Sequence, residues 1–487
     1  MADPNLANVV ALAAQIRPAL ERGDRAGINE IVERLIALRA PMGGQWEQLA
    51  YLAAGNGELS LAKKAIDLQV EAAGGGNGAQ FHKAAFLSTI GATRDADALL
   101  RSLPENVPNP ATNAYVRGIS ALALGRAEEA RQALDRATRM MLYSGMAWLS
   151  LAMTVDFARE PDLADRLIAA GRGIDQAPSP ERAPYHYALG KAYADRGEHA
   201  DAFAAFARGA RLMKATMPYD HAADRAEAAR AVEGYDAARI AAISGQQSEP
   251  TGRTIFVTGL PRSGTTLVEQ ILTSHSAVDD GGESSRLVLL AEEMGGASWP
   301  ALARAVETQG VAPAARLWDH WLDELYPATG RIVDKSVNSS RFLGLVAALL
   351  PDAPLIWMTR DPLDQAWSCF RTNFAAGAMP WSYDLNDIAA HFRLEDRLLT
   401  QWREILGDRL LVLSYEDLVT EPDGWIRRIL AHCGLAEEAQ PFAPHENRRP
   451  VPTASMMQVR RPINRAGIGA AEPYRALLAP FIEAWEG

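Results

Sequence analysis

Cysteine is scarce in this sequence, since only Cys369 and Cys433 occur among 487 residues. Two cysteines exclude a disulfide framework and a zinc site built from four cysteine ligands. Because so few cysteines fit a reducing compartment, we predict a cytoplasmic location.

Long apolar runs are missing as well. No uninterrupted apolar stretch reaches roughly 18 residues, so we expect no membrane-spanning helix. The N-terminal residues (MADPNLANVVALAAQIRPAL) do not combine a basic start with an unbroken apolar core, so they do not resemble a secretory signal.

Positive charge is also in deficit. Lys and Arg total 49 against 60 Asp and Glu, which gives a net charge of −11. This balance argues against general affinity for nucleic acid or membranes, although it allows a local basic site for a small anion. A chain of 487 residues with 48% hydrophobic and 22% charged residues predicts a globular protein of two or three domains.

The first half of the chain repeats with a period of 34 residues. Small residues share one repeat position: Ala50, Ala84, Gly118 and Ala152. Glycines share a second position, with Arg159 in the fourth repeat: Gly57, Gly91 and Gly125. Further positions hold small and apolar residues: Ala62, Ala96, Ala130 and Ala164, then Ile66, Leu100, Leu134 and Ile168. The pattern resumes after an apparent four-residue insertion, and a weaker copy with Gly23 precedes it.

This pattern resembles the tetratricopeptide repeat (TPR), in which two helices per repeat pack against those of their neighbours. We therefore predict about six helix pairs over residues 9–216 and one further capping helix over residues 218–243. The repeat domain is predicted to cover residues 1–245, and the polar segment 246–253 is the predicted linker.

Residues 254–275 (TIFVTGLPRSGTTLVEQILTSH) read as a strand, a glycine loop and a helix. Such a loop directs backbone N–H groups and the positive end of a helix dipole at one point, which predicts an anion site. The spacing of Gly259, Gly264 and Thr266 nearly matches a nucleotide-triphosphate loop, but Thr265 stands where that loop has Lys. Positive charge instead comes earlier, at Arg262.

Short apolar runs then alternate with helical stretches, which predicts a central parallel sheet in an α/β domain over residues 254–487. The predicted strands cover residues 254–258, 331–333, 354–359 and 409–414, with a short one near Val278. Polar residues follow three of these strands: Lys335, Arg360 and Tyr415. Because ligands bind outside the carboxyl ends of parallel strands, we expect these residues to converge with the loop.

Two further features favour binding of an anion. Arg360 precedes a predicted helix start at Asp361 and Pro362, and Ser368 lies about two turns along that helix. Residues 448–465 carry five Arg and no acid, with Thr453, Ser455 and Arg461 among them. This segment is either a solvated basic loop or a strap over an anionic ligand.

Together these motifs resemble the sulfotransferases that use 3′-phosphoadenosine-5′-phosphosulfate (PAPS), in particular the bacterial TPR sulfotransferases and the tyrosylprotein sulfotransferases. The motifs that carry the resemblance are Leu260-Pro261-Arg262-Ser263-Gly264-Thr265-Thr266, Arg360 with Ser368, Tyr415-Glu416-Asp417, and Gln458-Val459-Arg460-Arg461-Pro462-Ile463. The implied fold is an all-α TPR solenoid followed by a sulfotransferase domain that resembles the P-loop fold.

The resemblance also implies roles for individual residues. The 5′-phosphosulfate would be held by Arg262, Ser263, Gly264, Thr265 and Thr266, and the 3′-phosphate by Arg360 and Ser368. Tyr415, Ser455 and Arg461 would complete the cofactor pocket. Glu283 matches a proposed general base, and Lys335 matches a lysine that assists the leaving group. A second basic residue of the tyrosylprotein enzymes would fall on Thr372, with Arg371 one position early, so this role does not carry over.

The chemistry of sulfuryl transfer fits these residues. A sulfuryl group carries less negative charge than a phosphoryl group, so we expect no metal. Arg262, Lys335 and the loop N–H groups could stabilise the charge that develops on the leaving phosphate. His275, at the end of the loop helix, is a rival base to Glu283.

Two other functions stay open: a nucleoside-triphosphate kinase, and a repeat scaffold with an inactive nucleotide domain. The acceptor could be a peptide tyrosine, a glycan or a small metabolite. The repeats could bind a protein or mediate homodimerisation.

Overall fold

The computed structural model describes residues 4–284, 286–326, 330–336, 338–374, 378–447, 449 and 459–487. The N-terminal part is helical. Its helices are α1 (Pro4–Ala13), α2 (Ile16–Glu21), α3 (Arg25–Ala37), α4 (Gln45–Gly55), α5 (Leu59–Ala72), α6 (Asn77–Thr89), α7 (Thr93–Ser102), α8 (Pro110–Ala123), α9 (Ala127–Met140), α10 (Gly145–Ala152), α11 (Pro161–Ile174), α12 (Ser179–Asp195), α13 (His199–Thr216), α14 (His221–Val232) and α15 (Ala237–Ser244).

Helices α2 to α13 form six consecutive pairs, as the period predicts. In five pairs the turn between the helices contains a glycine with positive φ: Gly23, Gly57, Gly91, Gly125 and Gly197. A side chain would strain the backbone in that conformation, which explains the glycine position of the repeat. The pair α10 and α11 has Arg159 instead, and there the chain needs a longer turn, residues 153–160.

The small residues of the repeat lie where helices pack closely. A Cβ atom on Gly118 would lie 2.6 Å from the Leu134 side chain, and one on Gly190 would lie 2.7 Å from Phe206. At the apolar position of the repeat, Ile168 is 36% exposed, and its neighbour Leu167 is buried instead.

The chain folds as two compact units, residues 1–136 with 320–328 and residues 137–319 with 329–487. Helices α10 to α15, which we assigned to the repeat domain, therefore belong to the same unit as the residues that follow them. The predicted boundaries at residues 245 and 254 stay a prediction.

The first unit has its own core around Val32, Trp46 and Ala50. The later segment of this unit, residues 320–328, contains Trp321. This indole ring packs against the turn at Gly57, since a Cβ atom on Gly57 would lie 2.7 Å from it. Beside it, His320 Nε2 lies 3.0 Å from a carboxylate oxygen of Glu58.

The second unit contains a five-stranded sheet in which each adjacent pair of strands is parallel. The strands are β1 (Thr254–Thr258), β2 (Val278–Asp280), β3 (Arg331–Asp334), β4 (Leu355–Thr359) and β5 (Leu410–Ser414), in the spatial order β2-β3-β1-β4-β5. This confirms the predicted central parallel sheet and its five strands. Because β1 is central and its neighbours run parallel to it, all five carboxyl ends lie along one edge.

The remaining helices connect and cover these strands. They are α16 (Thr265–Leu272), α17 (Arg286–Glu293), α18 (Trp299–Gln309), α19 (Ala312–Asp323), α20 (Leu343–Leu349), α21 (Pro362–Phe370), α22 (Leu385–Leu406), α23 (Tyr415–Thr420), α24 (Pro422–His432) and α25 (Ala479–Glu486). Six short 3₁₀ helices are also described: Ser339–Phe342, Pro380–Tyr383, Gly407–Arg409, Gln440–Phe442, Pro444–Glu446 and Glu472–Leu478.

One aromatic core of the second unit joins α13 to α21. The rings of Phe203 and Phe206 in α13 lie 6.1 and 5.6 Å from the Trp367 ring, centroid to centroid. Trp367 also stacks on Tyr474 at 3.9 Å. The helix that carries Ser368 is therefore held by residues of the last helix pair.

The prediction of a single capping helix over residues 218–243 is wrong, because this segment forms the two helices α14 and α15. The chain turns at Gly234, whose φ is +75°. The turn buries Tyr235, whose ring lies 5.7 Å from both Trp299 and Trp402. Burial of this aromatic ring explains the break, which the helical pattern did not reveal.

The predicted linker is fastened to the segment before β4. Gln247 donates a hydrogen bond to the Leu349 carbonyl at 3.0 Å, and the Thr251 hydroxyl donates to Asp352 at 2.8 Å. Across the described ranges, we find no helix with the length and apolarity needed to cross a membrane.

Candidate functional site

The loop between β1 and α16 has the backbone of an anion-binding turn. Gly259 has φ +140°, and a Cβ atom there would lie 2.5 Å from the Met358 carbonyl oxygen. Gly264 has φ +105°, and its Cβ would lie 3.0 Å from the Tyr415 ring. Arg262 also has a positive φ of 67°, which is uncommon for a residue other than glycine. Thr265 and Thr266 begin α16, so the N-terminal amides of this helix border the turn.

Side chains at and just before the start of α21 donate hydrogen bonds to the loop carbonyls. Gln365 Nε2 donates to Leu260 O at 3.3 Å and to Pro261 O at 3.0 Å. Arg360 Nη1 donates to Arg262 O at 2.9 Å. Three consecutive carbonyls are thus fixed on the α21 side of the loop.

Arg262 and Ser368 are in direct contact. Arg262 Nε donates to Ser368 Oγ at 2.9 Å, and the Ser368 side chain is buried. Burial, together with the positive charges of Arg371 and Arg360, lowers the pKa of Arg262 to about 10. The guanidinium still stays charged at neutral pH, in a neighbourhood that is already basic.

Arg360 joins the loop to the C-terminal segment. Its Nη2 donates to Gly467 O at 2.6 Å, and its guanidinium lies 4.7 Å from the centre of the Tyr415 ring. Of the three residues predicted to converge with the loop, Arg360 and Tyr415 lie beside it, whereas Lys335 pairs with Glu283. Arg360 and Ser368 are linked through Arg262, since Arg360 donates to the Arg262 carbonyl and Ser368 accepts from the Arg262 side chain.

Two buried polar atoms at this site have no hydrogen-bond partner within the described part of the chain, Ser263 Oγ and Arg360 Nε. Buried polar groups are normally hydrogen-bonded, since leaving one unpaired costs roughly 1–3 kcal/mol. Both atoms would be satisfied by the oxygens of an anionic ligand, so this donor set fits a phosphate or phosphosulfate group.

Glu283 and Lys335 form an ion pair at the ends of β2 and β3. Lys335 Nζ lies 2.5 Å from Glu283 Oε1, and their side chains are 5% and 44% exposed, respectively. Burial acts to lower the pKa of Lys335, but the carboxylates of Glu269 and Glu283 outweigh it, and the pKa is raised. Lys335 is therefore a charged, buried group beside a carboxylate that solvent can reach.

His275 lies beyond the C-terminal end of α16, whereas the loop precedes its N-terminal end. Its Nε2 lies 3.0 Å from Ala436 O, and its Nδ1 lies 3.1 Å from the Ala277 amide. Both ring nitrogens have backbone partners, and about two helical turns separate His275 from the loop.

The C-terminal motif is only partly accounted for. Ser455, like Thr453 and Gln458, lies outside the described residues. Arg461 is exposed and makes no hydrogen bond or ion pair with the described part of the chain. At the position of the missing family cation, Thr372 donates its hydroxyl to Ser368 O at 2.7 Å.

Sequence reasoning missed several residues that shape the site. Gln365 holds the loop, and Asp364 accepts hydrogen bonds from the Gly469 and Ala471 amides at 2.7 and 2.8 Å. Glu269 and Arg449 form a buried ion pair with an N–O distance of 2.7 Å. Only Glu269 gave a signal, because it interrupts the apolar residues of a short helix.

Among the described residues, one group of potential metal ligands is found, in the first unit. Single ligand atoms of Glu58, His320 and Glu324 lie within 4.8 Å of one another. The Ser60 amide donates to Glu324 at 2.5 Å, and His320 pairs with Glu58, so existing contacts account for the cluster.

Comparison with known proteins finds a family that is similar to the domain that contains the loop. Residues 254–439 match the model of the sulfotransferase family. An uncharacterized protein of Aquifex aeolicus (strain VF5) is 31% identical over 317 residues, which cover 63% of this chain and 42% of that protein. Protein-tyrosine sulfotransferase 1 of Danio rerio is 28% identical over 190 residues, which cover 37% of this chain and 53% of that enzyme.

Among solved structures, the sulfotransferase domain of the olefin synthase of Synechococcus PCC 7002 is 20% identical. The match covers 50% of this chain and 96% of that domain, with a TM-score of 0.37. The chain spans about half the length of the two relatives given above, 42% and 53%. The family match and the loop geometry coincide from residue 254 onwards, so residues 254–439, which follow an all-helical N-terminal region, are similar to the sulfotransferase family.

Proposed function

We propose that this protein is an enzyme that transfers the sulfuryl group of PAPS to an acceptor hydroxyl. The proposal is carried by two buried polar atoms at the glycine loop, Ser263 Oγ and Arg360 Nε, which have no hydrogen-bond partner among the residues that the structure describes. A doubly phosphorylated nucleotide supplies the negative charge and the oxygen acceptors that such a site needs. The family of the domain agrees with this reading.

The chain offers groups for both ends of the cofactor. Arg262 and the segment Ser263-Gly264-Thr265-Thr266 would hold the 5′-phosphosulfate, and Arg360 with Ser368 would hold the 3′-phosphate. Because Ser368 Oγ accepts from Arg262, its own hydroxyl proton stays available to a phosphate oxygen. Tyr415, Ser455 and Arg461 would complete the pocket. Bound PAPS supplies the activated sulfuryl group.

Glu283 and Lys335 would have separate roles, proton abstraction for Glu283 and charge stabilisation for Lys335. Glu283 takes the proton of the acceptor hydroxyl, since its carboxylate is reachable from solvent. Lys335, kept charged by the neighbouring carboxylates, stabilises negative charge on the leaving phosphate together with Arg262. No step in this scheme calls for a metal ion.

The acceptor is proposed to be a hydroxyl on a macromolecule. A protein tyrosine is favoured by the likeness to Protein-tyrosine sulfotransferase 1 of Danio rerio, and a glycan or a small metabolite is the alternative. The helix pairs would bind a protein partner or mediate homodimerisation. The cytoplasmic location stays a prediction from the cysteine count.

The other two candidate functions make different predictions. A kinase would hydrolyse ATP with magnesium, and Thr265 in place of the loop Lys disfavours it. An inactive scaffold would fold normally but would not bind the product adenosine 3′,5′-bisphosphate (PAP).

Removing the guanidinium of Arg262 should weaken the binding of PAP. We expect Arg262→Ala to bind PAP about 10- to 100-fold more weakly than the wild type, because charge-assisted hydrogen bonds are lost. Isothermal titration calorimetry with and without magnesium measures this, with Arg427→Ala as a control at an exposed arginine. Equal affinities for wild type and Arg262→Ala would remove Arg262 from the site.

Removing the carboxylate of Glu283 should leave PAP affinity intact but abolish most turnover. We expect the transfer of labelled sulfate from PAPS to components of a cell extract to fall at least about 100-fold in Glu283→Gln. His275→Gln is the matched comparison and should retain turnover, since both ring nitrogens of His275 have backbone partners. The reverse result would assign the base to His275.

A further inference from the structure

Two adjacent polar residues of the loop helix α16 are fully buried, Glu269 and Gln270, at 1% and 0% exposure. Gln270 Nε2 donates to Pro444 O at 2.9 Å and to Asn447 O at 3.3 Å. Its Oε1 accepts from Arg449 Nε at 2.8 Å. The buried face of α16 is thus fastened to the segment that precedes the C-terminal motif.

Arg449 uses the rest of its guanidinium to bridge two carboxylates. Its Nη2 donates to Glu269 Oε2 at 2.7 Å, and its Nη1 donates to Asp280 Oδ2. Arg449 is 8% exposed, so this bridge is shielded from solvent. It ties α16 to the carboxyl end of β2.

The hydrogen bonds continue from Asp280 to the ion pair of the site. Asp280 Oδ1 accepts from the Gly282 amide at 2.9 Å, and Gly282 O accepts from the Lys335 amide at 3.0 Å. Glu283 is the next residue and pairs with Lys335. An unbroken series of contacts therefore runs from Arg449 to both groups of the pair.

The charges around Lys335 are mixed in sign. Four acidic residues lie around it: Glu283 on the loop after β2, Glu269 on α16, Asp280 at the end of β2, and Asp334 at the end of β3. Arg449 contributes a positive charge. Glu269 is the buried carboxylate among the groups that raise the pKa of Lys335. Burial raises the pKa of Glu269 itself to about 7, against the opposing effect of Lys335 and Arg449.

We propose that Glu269 and Arg449 are positioning residues for the Glu283–Lys335 pair, holding the ends of β2 and β3 in register. This inference depends on the proposed function, in which the pair acts on the acceptor and the leaving phosphate. The hydrogen bonds described for their side chains join them to each other, to Gln270 and to Asp280 rather than to the loop that would hold the cofactor. Their loss should therefore affect turnover and the ionisation of Lys335 rather than binding of PAP.

The first test measures the ionisation of Lys335 directly. Lys335 in Glu269→Gln should react with acetic anhydride about tenfold faster than in the wild type at pH 9, as resolved by mass spectrometry, because losing a neighbouring opposite charge lowers a lysine pKa by about 1 or more. The ratio of the two rates should shrink as the pH is raised towards about 11, because the wild-type lysine then also loses its proton, whereas a loosened structure would keep the same ratio at every pH. Glu437→Gln removes a carboxylate from an exposed arginine pair and serves as the matched control.

The second test separates positioning from cofactor binding. In Glu269→Gln and Arg449→Met, the conversion of PAPS to PAP in water should fall at least about tenfold, while the Kd for PAP stays within about twofold of the wild type. The double variant should be no slower than the slower single variant, because the two residues act as one unit. Glu269→Gln keeps the size of the side chain, so it covers the case in which Arg449→Met does not fold.

Different failures have different meanings. Unchanged Lys335 reactivity in Glu269→Gln overturns the inference, as does a loss of PAP affinity that parallels the loss of turnover, which would make these residues cofactor ligands. Failure of the wild type to bind PAP refutes the proposed function itself, and calorimetry on the wild type detects that separately.

Discussion

At the scale of single residues, the loop site brings the positive charges of Arg262, Arg360 and Arg371 close together. Burial and the charges of Arg371 and Arg360 lower the pKa of Arg262, and burial and the charge of Arg360 lower the pKa of Arg371. Three guanidinium groups that repel one another raise the free energy of the protein alone. An anionic ligand removes this repulsion, so binding should stabilise the folded state as well as fill the site.

A second residue of interest, His186, makes stability depend on pH. This side chain is 5% exposed, and neither ring nitrogen has a hydrogen-bond partner among the residues described. Burial, and secondarily the charge of Arg208, lowers the pKa of His186 to about 4. In the unfolded chain a histidine has a pKa near about 6.5, so between these values the unfolded state binds more protons.

The stability of the second unit should therefore fall as pH decreases from about 6.5 to about 4, with no further loss from this group below that range. His186→Phe should make the urea midpoint less sensitive to pH across this window, as measured by fluorescence-detected unfolding at pH 7 and pH 4.5. His82→Phe, at an exposed position, is the control and should unfold with the pH dependence of the wild type. Equal pH dependence in His186→Phe and the wild type would contradict this prediction.

At the scale of elements, the glycine loop depends on a backbone that only glycine adopts without strain. Gly259→Ala places a Cβ atom 2.5 Å from the Met358 carbonyl oxygen at φ +140°. We expect this variant to unfold at a lower temperature and to bind PAP weakly, because the loop and β4 must separate to admit the methyl group. Thermal unfolding and calorimetry measure the two effects.

The matched control is Gly424→Ala, within α24. A Cβ atom there meets no atom within 4 Å, and alanine is favoured over glycine in a helix by about 1 kcal/mol. Gly424→Ala should therefore be neutral or slightly stabilising. If Gly259→Ala behaved in the same way, the close approach of the loop to β4 would not constrain the site.

Sequence patterns were sufficient where the determinants are local. The strand, loop and helix from residue 254 onwards, the parallel strands and the glycine turns were all predicted from neighbouring residues. Gln365 and Arg449 were not, because their partners Pro261 and Glu269 are separated from them by 104 and 180 residues. The break at Gly234 was missed for the same reason, since distant Trp299 and Trp402 bury Tyr235.

At the scale of the whole molecule, the second unit includes helices that the repeat pattern assigned to another domain. Helix α13 contributes Phe203 and Phe206 to the aromatic core around Trp367. On α14, Asp224 accepts hydrogen bonds from Arg341 at 3.0 Å and contacts His391 Nδ1 at 2.6 Å. Residues before the family-matched segment therefore complete its core.

A fragment of residues 246–487 should fail to fold as a soluble monomer, because it exposes the aromatic faces that α13 to α15 cover. A fragment of residues 137–487 should retain cooperative unfolding, since it keeps all of the second unit. Size-exclusion chromatography and thermal unfolding distinguish the two fragments. A monomeric and cooperative 246–487 fragment would show that the predicted boundary near residue 254 marks an autonomous domain.

The hydrogen bonds that Gln365 and Arg360 donate to the carbonyls of residues 260–262 have a thermodynamic consequence. With Gln365 and Arg360 fixing these carbonyls, the turn is already rigid in the free protein, and a ligand does not have to order it. Association then forfeits little conformational entropy, so more of the contact energy becomes net affinity. Under the proposed function, the protein would bind the nucleotide with little rearrangement of the loop. Any ordering on binding would then be required of the acceptor.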